Sequence, residues 1–187
     1  MKKILLHACC APCACYVVEK LSADFDVSLY WFNPNISIPS EYETRKNELF
    51  RFAADRHIPV IEEAPDKKGW AASVRAHALC GERSPRCWEC YRFRLESAFR
   101  AAASHGFSLV GTALSISPHK DAAKINEAGN GLRGKYGVDF LAEDFKKKDG
   151  FKKSLELSAR FGFYRQDYCG CIWSKLERDR GSLWRRR

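Results

Sequence analysis

Four thiols stand within seven residues near the start of the chain, in the stretch Ile4-Leu5-Leu6-His7-Ala8-Cys9-Cys10-Ala11-Pro12-Cys13-Ala14-Cys15. That density points to metal binding or redox chemistry, where a thiolate is the requirement. Residues 4–8 have the length and continuous apolarity of a strand buried on both faces, and Pro12 stops a strand while suiting the first turn of a helix. Cys9, Cys10 and Cys13 are therefore expected at a strand-to-helix turn. Ligands of open α/β sheets gather at such turns, and a helix N-terminus there favours thiolate over thiol. Two further groups follow. Cys87-x-x-Cys90 sits one turn apart at the start of a helix that Ser84-Pro85 introduces, and Cys169-Gly170-Cys171 carries a glycine that lets the backbone bend both thiols toward one centre.

Seven of the nine cysteines thus fall in three groups, with Cys15 and Cys80 outside them. A structural zinc site or a four-iron cluster takes four protein ligands, so the surplus implies a second centre or a redox dithiol. Side chains alternate along an extended strand, which makes Cys9 and Cys10 unexpected partners for the same ion. Thiolate-rich sites hold iron–sulfur clusters or zinc, and spacing alone leaves both open.

Composition narrows the classes further. An odd number of cysteines in a chain of 187 residues argues against a disulfide framework, and the length suits one α/β catalytic domain spanning the whole chain. Leu6-His7-Ala8-Cys9 resembles a lipoprotein processing site, but the apolar run before it is too short for an export signal. No run reaches the length of a membrane span, so a soluble, cytoplasmic protein with no membrane partner is expected. The formal charge of +9 and pI near 9.1 favour a polyanionic partner, most simply nucleic acid. Residues 175–187 form a basic tail ending Trp184-Arg185-Arg186-Arg187, expected to fray.

The elements that must position the thiols can be read from periodicity. Strands are expected at residues 4–8, 25–32, 58–61, 107–114 and 138–142, and helices at 14–22, 41–57, 69–79, 85–104, 121–127 and up to about 161. Ser40 and Glu43 have capping-box spacing, Pro59 belongs at an edge, Gly81 should stop the third helix, and Gly129-Asn130-Gly131 with Gly134 should form a flexible loop. Polar loops follow three of the strands. Asn33-Pro34-Asn35 lies after the second, and Glu41, Tyr42 and Arg45 in the next helix's first turns face the same rim, unless they are ordinary surface. Ser117-Pro118-His119-Lys120-Asp121 follows the fourth strand, where Asp121 serves either chemistry or a helix cap. Lys146-Lys147-Lys148-Asp149-Gly150-Phe151-Lys152-Lys153 is a solvated face or a phosphate contact.

With these residues assembled, the chain resembles the cobalamin-independent epoxyqueuosine reductases over nearly all its length. The matching pieces are His7-Ala8-Cys9-Cys10-Ala11-Pro12-Cys13, Asn33-Pro34-Asn35-Ile36, Glu41-Tyr42 with Arg45, Arg86-Cys87 through Cys90-Tyr91 with Arg94-Leu95, Ser117-Pro118-His119-Lys120-Asp121, and Tyr164-Arg165-Gln166 with Tyr168-Cys169-Gly170-Cys171. The resemblance implies a Rossmann-like open parallel sheet of about five strands, related to the adenine-nucleotide alpha-hydrolases. It implies a 4Fe–4S cluster beside a mononuclear iron held among Cys9, Cys10, Cys13, Cys87, Cys90, Cys169 and Cys171, with the division of ligands open. The implied reaction reduces epoxyqueuosine to queuosine in the transfer RNA anticodon loop, with electrons from a ferredoxin- or flavodoxin-like donor. Asn33, Asn35, Glu41, Tyr42, Arg45, Tyr91 and Arg165 would then meet substrate, Trp31, Tyr91 or Tyr168 would stack on the base, and His7, His119, Lys120 or Asp121 would carry protons. Two rivals remain. A transfer RNA sulfur-insertion enzyme of the same fold would need ATP, yet the chain has neither a Ser-Gly-Gly-x-Asp-Ser loop nor a Walker A loop. A zinc-stabilised RNA-binding module would need only four thiols.

Overall fold

The computed structural model describes residues 1–184, with side chains to Arg180; Arg185, Arg186 and Arg187 of the basic tail lie outside the described residues. The strands are β1 (Lys2–His7), β2 (Phe25–Trp31), β3 (Val60–Glu62), β4 (Leu109–Thr112) and β5 (Asp139–Phe140). The helices are α1 (Ala11–Leu21), α2 (Pro39–Asp55), α3 (Lys67–Val74), α4 (Pro85–Ser104), α5 (Ala122–Leu132), α6 (Gly150–Arg160) and α7 (Ile172–Trp184). The part of the tail expected to fray is thus helical as far as Trp184.

All strand pairs are parallel, in the order β3-β2-β1-β4-β5. The chain winds outward from β1 to β3, then returns on the far side of β1, so the winding reverses between β1 and β4. At such a reversal the loops leaving the two central strands diverge and open a crevice at the sheet's carboxyl edge. Helices cover both faces. Ile4, Leu6, Val27, Leu29 and Trp31 share a buried cluster with residues of α1, α2 and α6, while Leu5, Tyr30, Phe32 and Val110 share one with α4 and α5. That double burial is why the central strands read as continuous apolar runs.

Several boundaries move for identifiable reasons. Pro39 takes the first turn of α2 and Ile38 becomes its N-cap, so Ser40 and Glu43 fall inside the helix and the expected capping box does not form. Pro59 stays just outside the edge strand β3, and its carbonyl accepts from Leu29 N at 2.8 Å. The third helix ends at Val74 and tightens into a 3₁₀ turn at Arg75–His77, before Gly81. Likewise β4 is shorter than expected and passes into a 3₁₀ turn at Ala113–Ile116.

The largest departure is α5, which continues through Gly129 and Gly131 to Leu132 where a flexible loop was expected. Gly129 is there for space and not for freedom: a Cβ on it would lie 2.4 Å from Cε1 of the buried Phe140 ring. Gly129→Ala is therefore expected to cost about 1–3 kcal/mol by overpacking. A urea titration should show a lower midpoint at unchanged slope.

Candidate metal centre and substrate cavity

The first thiol group forms at the end of β1. His7 closes the strand, its ring buried and held by Thr112 Oγ1 at 3.1 Å and the Phe32 carbonyl at 3.3 Å. Burial draws the His7 imidazole down to about 3. Past His7 the chain turns, Cys10 becomes the N-cap of α1 with φ −173° and ψ 157°, and Pro12 fills the first turn. The consequence overturns the alternation argument: Cys9 Sγ and Cys10 Sγ are 3.9 Å apart, and the sulfurs of Cys9, Cys10 and Cys13 all lie within 4.8 Å of one another. The argument failed because Cys9 already lies past the strand. Hydrogen bonding with Cys10 and Cys13 holds the Cys9 thiol well below its usual range, whereas burial pushes Cys10 up to about 12.

A second group faces it. Pro85 starts α4, so Cys87 and Cys90 fall in its first two turns, and Gly170 at φ +116° folds the chain so that Cys169 and Cys171 sulfurs are 3.6 Å apart. Hydrogen bonding with Cys171 draws Cys169 down to about 6. Cys171 precedes α7 directly, and its sulfur accepts from the Ser174 amide at 3.4 Å. All nine cysteines are free thiols.

Between the groups lies a cavity of about 580 Å³ whose wall includes Cys13, Cys87, Cys90, Cys169 and Cys171. Asn35, Tyr91, His119, Lys120 and Tyr168 also line it. Three loops converge here because β2, β1 and β4 are neighbours in the sheet. Burial opposes charge on Lys120, but the neighbouring sulfurs of Cys9, Cys169 and Cys13 outweigh it and raise the ammonium above its usual range. His119 is exposed at the margin.

Other predicted residues have different surroundings. Asn33 is buried below the cavity, its side chain donating to the Ala8 carbonyl at 2.9 Å and accepting from Arg94. Asp121 caps α5, accepting from Lys124 N at 3.1 Å. Trp31 is fully buried, too deep to stack on a base, and its Nε1 donates to the Tyr42 hydroxyl at 2.7 Å. Arg165 is exposed outside the cavity wall, and Glu41 is paired with Arg45. Cys15 is buried on α1 with its thiol donating to the Pro12 carbonyl at 3.5 Å.

The sequence reading assigned no role to Arg86 and Arg94, which line the cavity from α4 while being almost completely buried. For Arg94 the signal was present: position 94 falls on the same helical face as Tyr91, Leu95 and Ala98, and a charge on an apolar stripe demands a partner. Arg86 finds one in Glu177 at 2.8 Å, tying α4 to α7.

Fold and site together define a doubly wound α/β protein with two thiol groups at the switch point of a parallel sheet. A family model for epoxyqueuosine reductase QueH matches residues 4–177, and the chain belongs to that family. Similar proteins described as epoxyqueuosine reductase QueH include one from Staphylococcus epidermidis, 36% identical over 183 residues, covering 94% of this chain and 77% of that one. The protein from Haemophilus influenzae is 38% identical over 174 residues (92% and 71%), and that from Thermotoga maritima is 34% identical over 184 residues (95% and 93%). Among solved structures, the U34-tRNA thiolase NcsA from Methanococcus maripaludis, described with its 4Fe–4S cluster, is similar with a TM-score of 0.59 at 11% identity, covering 94% of this chain and 62% of that one. At that identity the likeness concerns the fold alone. Among the described residues, no helix is long and apolar enough to cross a membrane.

Proposed function

We propose that the protein reduces epoxyqueuosine in the anticodon loop of transfer RNA to queuosine, a two-electron, two-proton removal of the epoxide oxygen as water. The observation that carries this reading is the pair of thiol groups on one cavity beside a charged lysine.

The thiols fit a thiolate-bound metal, taken here as iron. At a metal–sulfur distance of about 2.3 Å, tetrahedral ligands stand roughly 3.8 Å apart. The Cys9–Cys10 separation of 3.9 Å and the span of the trio suit one ion. Cys87, Cys90, Cys169 and Cys171, which come from two elements around the cavity, would supply the four ligands of a cubane. We assign the trio to the mononuclear iron and this quartet to the 4Fe–4S cluster. When bound, these groups supply electrons singly and a Lewis-acid position.

The chain's own residues do the rest. Lys120 Nζ holds a proton at the cavity wall, close enough to the thiols to be held charged by them, and would protonate the departing oxygen. Tyr91 and Tyr168 line the cavity and would meet the unstacked base, with Asn35 as the polar contact. Arg94, through Asn33, braces the Ala8 carbonyl and so the turn that carries the trio. A ferredoxin- or flavodoxin-like protein would deliver the electrons.

The lysine run lies by the same rim: Lys146 Nζ donates to the Ser115 carbonyl at 3.0 Å, and Ser154 of α6 donates to the Pro12 carbonyl at 2.7 Å. Lys147, Lys148 and Lys152 are exposed there. Phosphate contacts by this run predict that affinity for transfer RNA falls steeply with salt, at about −0.7 log units per log unit of salt for each phosphate met. Reversing these three charges together should flatten the slope by roughly two units. Filter binding across a salt series tests it, and an unchanged slope moves the binding face elsewhere. Reduction of epoxyqueuosine in a transfer RNA substrate by anaerobic protein and a chemical reductant tests the activity; no turnover with fully loaded protein would refute it.

A further inference from the structure

Arg45 has the rim position expected of a substrate contact, yet the structure has already spent it. Its side chain is 1% exposed and bonds inward. Nε donates to Glu41 Oε1 at 2.7 Å, Nη1 to the Cys169 carbonyl at 3.0 Å and Nη2 to the Tyr168 carbonyl at 3.1 Å. The same α2 end grips the next residues of that loop. Ser37 N donates to the Gly170 carbonyl at 3.0 Å, and Ser37 Oγ accepts from Ile172 N at 3.2 Å. The fit is close, since a Cβ on Gly170 would lie 3.0 Å from Ile36 Cγ1 and 3.3 Å from Arg45 Nη1. So a single segment, Ser37 to Arg45, holds three consecutive carbonyls and one amide of the loop that carries two thiols.

We propose that Arg45, with Ser37, is a positioning residue that clamps the loop of Cys169 and Cys171 and lends it a buried positive charge, and is not a nucleic-acid contact. This rests on the reading that these two thiols hold metal. The planar fork of a guanidinium spreads five donors in a fixed geometry and can serve two carbonyls and a carboxylate at once, whereas the three donors of an ammonium all radiate from one atom. A fixed cation beside a thiolate-bound group stabilises its more negative, reduced form, and outer partners of metal ligands are typically worth 10- to 100-fold in metal affinity.

The test compares Arg45→Met, Arg45→Lys and the milder Ser37→Ala with unaltered protein. In metal-free protein, amide hydrogen exchange across residues 169–172 should quicken at least about tenfold in Arg45→Met, and less in Ser37→Ala. In anaerobically loaded protein, Arg45→Met should retain iron about 10- to 100-fold less tightly and titrate at a more negative potential. Arg45→Lys should recover the potential but not the tight retention, and transfer RNA affinity should stay within about twofold in all three. Unchanged exchange and unchanged potential in Arg45→Met would overturn the proposal, as would weakened transfer RNA binding with iron and potential intact. If exchange quickens but Cys169→Ser and Cys171→Ser keep all their iron, the clamp stands and the metal assignment of those two thiols falls.

Discussion

Cys87→Ser protein, purified and reconstituted without oxygen, should lose the cluster's broad visible absorption and about four of its five irons, with no measurable epoxyqueuosine reduction. Cys10→Ser should behave differently, keeping that absorption and losing only the fifth iron along with turnover. The contrast follows from the geometry. The sulfurs of Cys9, Cys10 and Cys13 crowd within 4.8 Å, a spacing for one ion, whereas Cys87, Cys90, Cys169 and Cys171 come from two separate elements around a common cavity. Cys13→Ser should match Cys10→Ser, and Cys90→Ser, Cys169→Ser and Cys171→Ser should match Cys87→Ser. Cys15→Ser and Cys80→Ser should leave iron and activity near normal, because Cys15 turns its thiol to the Pro12 carbonyl and neither cysteine lines the cavity. Iron analysis alongside the visible spectrum decides each case. Loss of the whole cluster in Cys10→Ser with retention in Cys87→Ser would invert the assignment.

The second large effect concerns the proton. Lys120→Met should slow reduction by about 10² to 10⁴ with iron content preserved, the usual cost of losing a general acid. His119→Ala should cost less than about tenfold, since that side chain is exposed at the margin. Asp121→Asn should appear in stability before rate: its carboxylate caps α5, asparagine is also a good cap, and even full loss of a cap costs only about 0.5–2 kcal/mol. Single-turnover assays from pre-reduced protein isolate the chemical step. Lys120→Arg separates proton from charge, because a guanidinium stays charged and gives up its proton poorly. Full recovery in Lys120→Arg would make the lysine an electrostatic stabiliser and leave the acid to be sought elsewhere.

Much of this site was legible in the sequence because its signals were local. An apolar run ending in Cys-Cys-Ala-Pro-Cys announces a strand, a turn and a helix start, and Ser84-Pro85 announces the start of α4, whichever way the chain folds beyond them. Parallel strands then put every such turn on one edge, so three polar loops could be expected on one rim. What escaped the sequence was set by tertiary contacts. Cys9 and Cys10 converge because β1 ends at His7, one residue earlier than the apolar run suggests. The length of α5 depends on the Phe140 ring that needs Gly129 bare. Tyr42 and Arg45 share a helical face that sequence alone could turn toward solvent or core, and here Trp31 and the loop at residues 168–169 draw them inward. Arg94 was hidden for the opposite reason, its partner Asn33 lying 61 residues away.

The most direct measurement is metal content. Protein purified and reconstituted anaerobically should carry about five irons per chain, four as a cluster and one alone, with thiolate-to-iron charge-transfer absorption that bleaches on reduction. Stoichiometric zinc with no iron under those conditions would contradict the reductase reading and leave a zinc-stabilised RNA-binding protein in its place.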